Sequence, residues 1–186
     1  MIDKDNYAQE AKGMKGYTHI YTGNGKGKTT AAMGLAMRAV GAGLKVYIGE
    51  FIKGMEYGEV KVIHQRFPEI TVDLYGLDAG CIIDREATAD DYQAAADGLA
   101  KAKAALASGN FDLVILDEIT IPVSLGLLNE DEVVALIKQK PEETELVLTG
   151  RYASPSMIEA ADLVSNVEEV KHYYQQGVLS RTGIDC

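Results

Sequence analysis

The chain has 186 residues, 47% of them hydrophobic, enough for one domain around one sizeable core. Its 28 acidic and 18 basic side chains leave a formal net charge of −10. That excludes a protein that wraps nucleic acid, which needs clustered positive charge to replace counterions.

Two cysteines occur, Cys81 and Cys186, and neither stands in a zinc-ligand spacing. Met1 to Lys15 lacks the apolar stretch of a signal peptide, and no apolar run is long enough to cross a bilayer. The expectation is a soluble protein of the reducing cytoplasm with no membrane partner.

Residues 1–15 are polar and mixed in charge, either a disordered tail or an arm that docks on a neighbouring subunit. A single domain is expected over 16–186. Tyr17 to Thr22 reads as the first strand. The helix after it runs from about Lys28 to Val40, with Met33, Ala36, Met37 and Val40 on one buried face and Gly41 and Gly43 at its end. Lys45 to Ile52 and Ile70 to Tyr75 read as strands, with a short helix over Val60 to Phe67 between them.

Gly76 to Glu86 is a loop. Thr88 then caps a helix, with Asp91 completing a capping box and Tyr92, Ala95, Leu99, Ala102 and Leu106 facing the core. Phe111 to Leu116 is a strand buried on both faces. Asn129 opens a helix to about Gln139, Leu146 to Thr149 is a strand, and Ser154-Pro155 starts another helix. Leu163 to Val167 is the last core strand. Alternating strands and helices predict an α/β fold with a mainly parallel sheet covered by helices on both faces.

The chemistry concentrates in Thr22-Gly23-Asn24-Gly25-Lys26-Gly27-Lys28-Thr29-Thr30. This run joins a strand to a helix start. Its glycines let backbone N–H groups converge on an anion, and the helix directs its positive end to the same place. Lys28 adds a cation, Thr29 a hydroxyl for a divalent ion, and Lys26 is expected to face the phosphates, with solvent as the alternative. Threonine at position 22 departs from the usual template, which has glycine there.

A second strand end, Val114-Ile115-Leu116-Asp117-Glu118, brings two carboxylates to the same sheet edge, where they are expected either to approach an ion held by Thr29 or merely to start a solvated loop; beside the glycine loop the ion role is favoured. Arg151 follows a third strand end and has two readings, a phosphate-binding fork or an ordinary surface ion pair. His19 is expected to pack within its strand, His64 to face water and His172 to sit in a polar-aromatic cluster. None of the three pairs with a nucleophile.

In order, the segments Thr22 to Thr30, Phe51-Ile52-Lys53-Gly54, Leu116-Asp117-Glu118, Leu148-Thr149-Gly150-Arg151, Ala161-Asp162-Leu163-Val164, Lys171-His172 and Gly183-Ile184-Asp185 resemble the ATP:corrinoid adenosyltransferase family. The likeness runs from about Gly16 to Asp185, and the threonine-headed glycine loop is distinctive. It implies a RecA-like P-loop NTPase fold and a homodimer. It implies ATP bound in reversed direction, with Mg²⁺ (or Mn²⁺), and a flavoprotein reductase that supplies reduced corrinoid. The implied reaction is attack of Co(I) on C5′ of ATP with loss of intact triphosphate. Lys28, Thr29 and Glu118 then act on the leaving group, and Asp117 stands behind the ion.

Some members of the family carry aromatics where Leu74 to Asp84 stand here, pressing on the lower face of the corrin. This chain has Gly80-Cys81-Ile82 instead, resembling another branch. Cys81 and Ile82, with Ile83, either line the corrinoid site or belong to the core. Two other functions compete with the transferase. One is a P-loop nucleoside kinase or ATPase, though two cysteines cannot build the four-cysteine zinc lasso usual in thymidine kinases. The other is a non-catalytic ATP-binding sensor.

Overall fold

The computed structural model describes residues 13–77 and 85–185. In chain order the elements are β1 (Thr18–Thr22), α1 (Lys28–Gly41), β2 (Val46–Phe51), α2 (Gly58–Arg66), β3 (Ile70–Tyr75), α3 (Ala89–Ala107), β4 (Leu113–Asp117), α4 (Thr120–Ser124), α5 (Glu130–Gln139), β5 (Glu145–Thr149), α6 (Pro155–Ala160) and β6 (Leu163–Asn166). A 3₁₀ turn over Tyr173–Gln176 follows. The six strands form one sheet in the order β3-β2-β4-β5-β1-β6, and every pair is parallel.

Helices cover both faces, as the alternation of elements predicts. On one face Ala32, Ala36 and Ala39 of α1 and Ile63 of α2 pack on Val46, Ile48, Leu113, Ile115 and Val147. On the other, Leu99 and Ala102 of α3, Val133 and Leu136 of α5 and Met157 of α6 pack on Tyr47, Val114, Leu116, Leu146 and Leu148. Odd and even positions of β4 serve opposite faces, which is why Leu113 to Leu116 is apolar without interruption.

Three expectations change. The stripe of α1 that meets the sheet is Ala32, Ala36 and Ala39, whereas Met37 is exposed. Small side chains let the helix lie close on the sheet, and the longer methionine falls outside that contact. In α3 Tyr92 is exposed, and Asp91 is the buried residue of the first turn. Finally, β6 is an exposed edge strand, not a core strand, because β1 pairs with it on one side only and neither of its faces is covered.

The local start signals hold. Thr88 and Asp91 form a reciprocal capping box. Asn129 accepts from the Asp131 N–H and Ser154 from the Met157 N–H. Gly43, at φ +80°, turns the chain out of α1.

Candidate functional site

Parallel strands deliver their carboxyl ends to one edge, so the loops after β1, β2, β4 and β5 meet there. The register sets Glu50 opposite Asp117 and Tyr21 opposite Thr149. Three residues beyond these strand ends lie in the left-handed region without being glycine: Ile52 (φ +58°), Glu118 (φ +58°) and Tyr152 (φ +65°). Each such residue costs of order 1–3 kcal/mol, and this kind of strain gathers at functional edges.

The glycine loop lies between β1 and α1. Gly27, at φ +124°, precedes the helix; no side chain caps the α1 N-terminus and no acid stands in its first turn. Those orphan N–H groups and the helix dipole favour an anion. Lys28 is buried and donates to the Gly25 carbonyl at 2.9 Å. Burial pulls its ammonium below the ordinary pKa and Arg151 adds to that, while Glu118 and Asp117 oppose it.

Gly23 and Gly25 lie against the chain beyond β6. A Cβ on Gly23 would come within 2.4 Å of Asn166 Oδ1, and one on Gly25 within 2.6 Å of the Glu168 carbonyl. Gly25 also donates its N–H to the Val167 carbonyl at 2.7 Å. Asn24 and Thr30 are exposed. Thr22, where the usual template has glycine, is buried, and its hydroxyl accepts from the Ala153 N–H at 3.3 Å.

Asp117 is fully buried and fully partnered. Its Oδ1 accepts from the Thr149 hydroxyl at 2.6 Å; its Oδ2 accepts from Lys53 Nζ at 2.7 Å and from the Thr29 hydroxyl at 3.1 Å. Thr149 in turn accepts from the Glu118 N–H at 2.9 Å, which fixes the backbone of the second acid. Burial raises the Glu118 carboxyl above its ordinary pKa and Asp117 adds to the rise, with Lys28, Lys53 and Arg151 opposing.

Arg151 is exposed, yet its charge bears on both Lys28 and Glu118. The structure therefore gathers Lys28, Thr29, Asp117, Glu118 and Arg151 at one edge. Lys26 is arranged differently from the phosphate-facing expectation. Its ammonium donates to the Ile184 carbonyl at 2.7 Å and pairs with Asp185. Cys81 and Ile82 lie outside the described residues.

Sequence reasoning assigned no role to Lys53, Glu50 or Thr149. Glu50 is fully buried and faces Lys53 Nζ at 3.4 Å, without hydrogen-bond geometry. Burial pushes its carboxyl up to about 7. Burial also works against the Lys53 charge, but Asp117 and Glu50 outweigh it and hold the ammonium above its ordinary pKa. A signal was present: an acid inside the apolar strand Val46–Phe51 needs a nearby cation, and Lys53 is the first basic residue after that strand.

The histidines sit outside this cluster. His19 Nε2 pairs with Glu145 at 2.6 Å, His64 Nδ1 with Glu56 at 3.3 Å, and His172 caps the 3₁₀ turn through the Tyr174 N–H. Next to the ends of β2 and β3, Phe51, Ile52, Tyr75, Gly76, Leu77 and Leu127 line a recess.

Comparison with known proteins follows the same lines. The model of the family described as ATP:corrinoid adenosyltransferase BtuR/CobO/CobP matches residues 14–186. A corrinoid adenosyltransferase of Escherichia coli K12 is 37% identical over 182 residues, 97% of this chain and 91% of that protein. One from Pseudomonas aeruginosa is 35% identical over 181 residues, 97% of this chain and 89% of that protein. Among solved structures, the flagellar accessory protein FlaH of Methanocaldococcus jannaschii superposes with a TM-score of 0.57 at 15% identity. That match covers 89% of this chain and 78% of FlaH, a likeness of fold alone.

Proposed function

The chain belongs to the ATP:corrinoid adenosyltransferase family, and from that membership we propose that it transfers the 5′-deoxyadenosyl group of ATP to the Co(I) centre of a reduced corrinoid, releasing triphosphate. The cobalt of the substrate supplies an electron pair to C5′. The Co–C bond forms as the C5′–O bond breaks, and the electrons of that bond leave on the triphosphate oxygen. Co(I) carries no proton, so the step needs no general base, in keeping with histidines engaged elsewhere.

The chain's tasks are to hold C5′ in line with cobalt and to stabilise charge gathering on the leaving group. The loop from Gly23 to Thr30, Lys28 and Arg151 would take the polyphosphate. Thr29 and Glu118 would hold Mg²⁺ or Mn²⁺, which when bound supplies positive charge against the phosphate oxygens. The donors suit such an ion: both offer oxygen, and the Thr29 hydroxyl donates its proton to Asp117, so its oxygen keeps lone pairs for a cation. Asp117 acts behind the ion because its own oxygens are already occupied.

We assign the transferase domain to residues 16–186, preceded by the arm 1–15. Cys81 and Ile82, which lie outside the described residues, are assigned to the corrinoid side on the family resemblance alone. The enzyme would work in the cytoplasm as a homodimer served by a flavoprotein reductase. Among the described residues no helix is long and apolar enough to cross a membrane.

Beside the family membership, the observation that supports the proposal is the conjunction of an uncapped α1 N-terminus, a buried Lys28 and Thr29 tied to Asp117 at one edge. The test supplies MgATP, hydroxocobalamin and a strong reductant. Intact triphosphate with a light-sensitive alkylcobalamin is expected. ADP and phosphate would point to a phosphotransferase instead, and tight ATP binding without turnover to a sensor.

A further inference from the structure

Outside the edge that gathers Lys28, Thr29 and Asp117, the Asp185 carboxylate accepts four hydrogen bonds from three side chains and one backbone N–H. It pairs with Lys26 of the glycine loop and accepts from the Tyr173 hydroxyl. Its Oδ2 also accepts from the Arg181 N–H at 3.0 Å and from Arg181 Nε at 3.1 Å. The Arg181 guanidinium lies 4.7 Å over the Tyr173 ring. Only 11% of the Asp185 side chain is exposed. Lys26, the Tyr173 hydroxyl and Arg181 hold its carboxyl well below the usual carboxylate range.

An isolated exposed ion pair contributes little, but a half-enclosed carboxylate with several fixed donors holds its geometry. The loop is held on the same side by the Gly25 N–H on the Val167 carbonyl, with Gly23 and Gly25 pressed on Asn166 to Glu168. Lys26 Nζ also donates to the Ile184 carbonyl. Two segments distant in sequence, 166–168 and 184–185, therefore grip residues 23–26 from outside. Lys28, by contrast, reaches across the loop to the Gly25 carbonyl.

We infer that Asp185 is a positioning residue for the nucleotide site, holding the glycine loop through Lys26, and that Lys26 is a tether and not a phosphate ligand. This rests on the proposed ATP site. Preorganising a binding loop improves affinity by lowering the entropy lost on binding. Removing Asp185 then loosens the loop, removing Lys26 loosens it at least as much because its bond to the Ile184 carbonyl goes too, and removing both adds nothing to the loss of Lys26.

The two roles for Lys26 predict opposite signs. If Lys26 tethers, Asp185→Asn weakens MgATP binding about three- to tenfold, Lys26→Met weakens it at least as much, and the double variant is no weaker than Lys26→Met. If Lys26 grips phosphate, Asp185→Asn releases a cation to the ligand and tightens binding, while Lys26→Met weakens it much more. A tightening, or additive losses, overturns the inference. Asp185→Glu, which keeps the charge, should recover part of the loss.

A ligand-free measurement separates the tether from the proposed function. Amide exchange at Gly25, followed on the intact protein under conditions where all variants have the same melting temperature, should speed up in Asp185→Asn, and by at least as much in Lys26→Met, with the double variant matching Lys26→Met. Unchanged exchange at Gly25 overturns the tether. A wild-type chain that ignores MgATP would overturn the proposed function, and the exchange result would still decide the tether.

Discussion

At the residue scale the electrostatics of Glu50, Lys53 and Asp117 make the sharpest predictions. Lys53 is the cation between two fully buried carboxylates. Lys53→Met should therefore destabilise the protein by about 3–5 kcal/mol at pH 8, read as a lower urea midpoint. The loss should be smaller at pH 6, where Glu50 takes up a proton. Glu50 itself has a folded pKa of about 7, above its ordinary value of 4.5, so the folded state binds the proton more tightly. Its contribution to stability is thus greatest below the ordinary carboxylate range, falls as pH rises towards 7, and is level beyond. Wild type relative to Glu50→Gln should lose about 3 kcal/mol between pH 4.5 and pH 7, with little further change to pH 9. A flat difference across that window would show that Glu50 is not held in this way. That Thr29, Asp117 and Glu118 meet at one place was legible because strand ends of a parallel sheet share one edge. The partners of Lys53 and Lys26 were not, since one depends on which strand lies beside β4 and the other on where residues 184–185 come to rest.

At the element scale, what is local was readable. Thr88 with Asp91, Asn129, and Ser154 with Pro155 act within one turn of their own helices, so no tertiary information is needed to find them. Periodicity showed that α1 and α3 have an apolar side, but Met37 and Tyr92 show its limit: which residues meet the sheet depends on how closely each helix lies on it. Asp91 joins the cap of α3 to Arg85, which lies 2.7 Å away, and that pairing holds its carboxyl well below the usual carboxylate range. Asp91→Ala should lower stability by about 1–2 kcal/mol, again measured by urea unfolding. A depressed carboxylate contributes above its unfolded pKa and loses that contribution as pH falls through the folded value. The deficit should accordingly persist from pH 5 to pH 8 and narrow only in strong acid.

For the whole molecule, ligand linkage gives the broadest check. A ligand that binds only the folded chain stabilises it by about 2.7 kcal/mol at a hundredfold excess over Kd, roughly 5–10 °C in Tm for a chain of this size. MgATP should produce such a shift. Inorganic tripolyphosphate should produce a smaller one, as the group the proposed reaction releases intact. Lys28→Ala should abolish both shifts and lower alkylation by about 10²–10³-fold, since it removes a buried cation from the leaving group. Near-normal shifts in that variant would sink the assignment of the loop.

The pattern of residues alone carried the fold class, the glycine loop between β1 and α1 and the acids at the end of β4, because each depends on spacing along a few consecutive positions and on the general geometry of parallel strands. Tertiary structure decided the strand order, the exposed edge at β6, the Glu50–Lys53–Asp117 cluster and the grip of the C-terminal segment on Lys26. Each of these joins residues far apart in the chain, and a charge or hydroxyl takes its partner from whatever the packing of the sheet and its helices brings within about 3 Å of it.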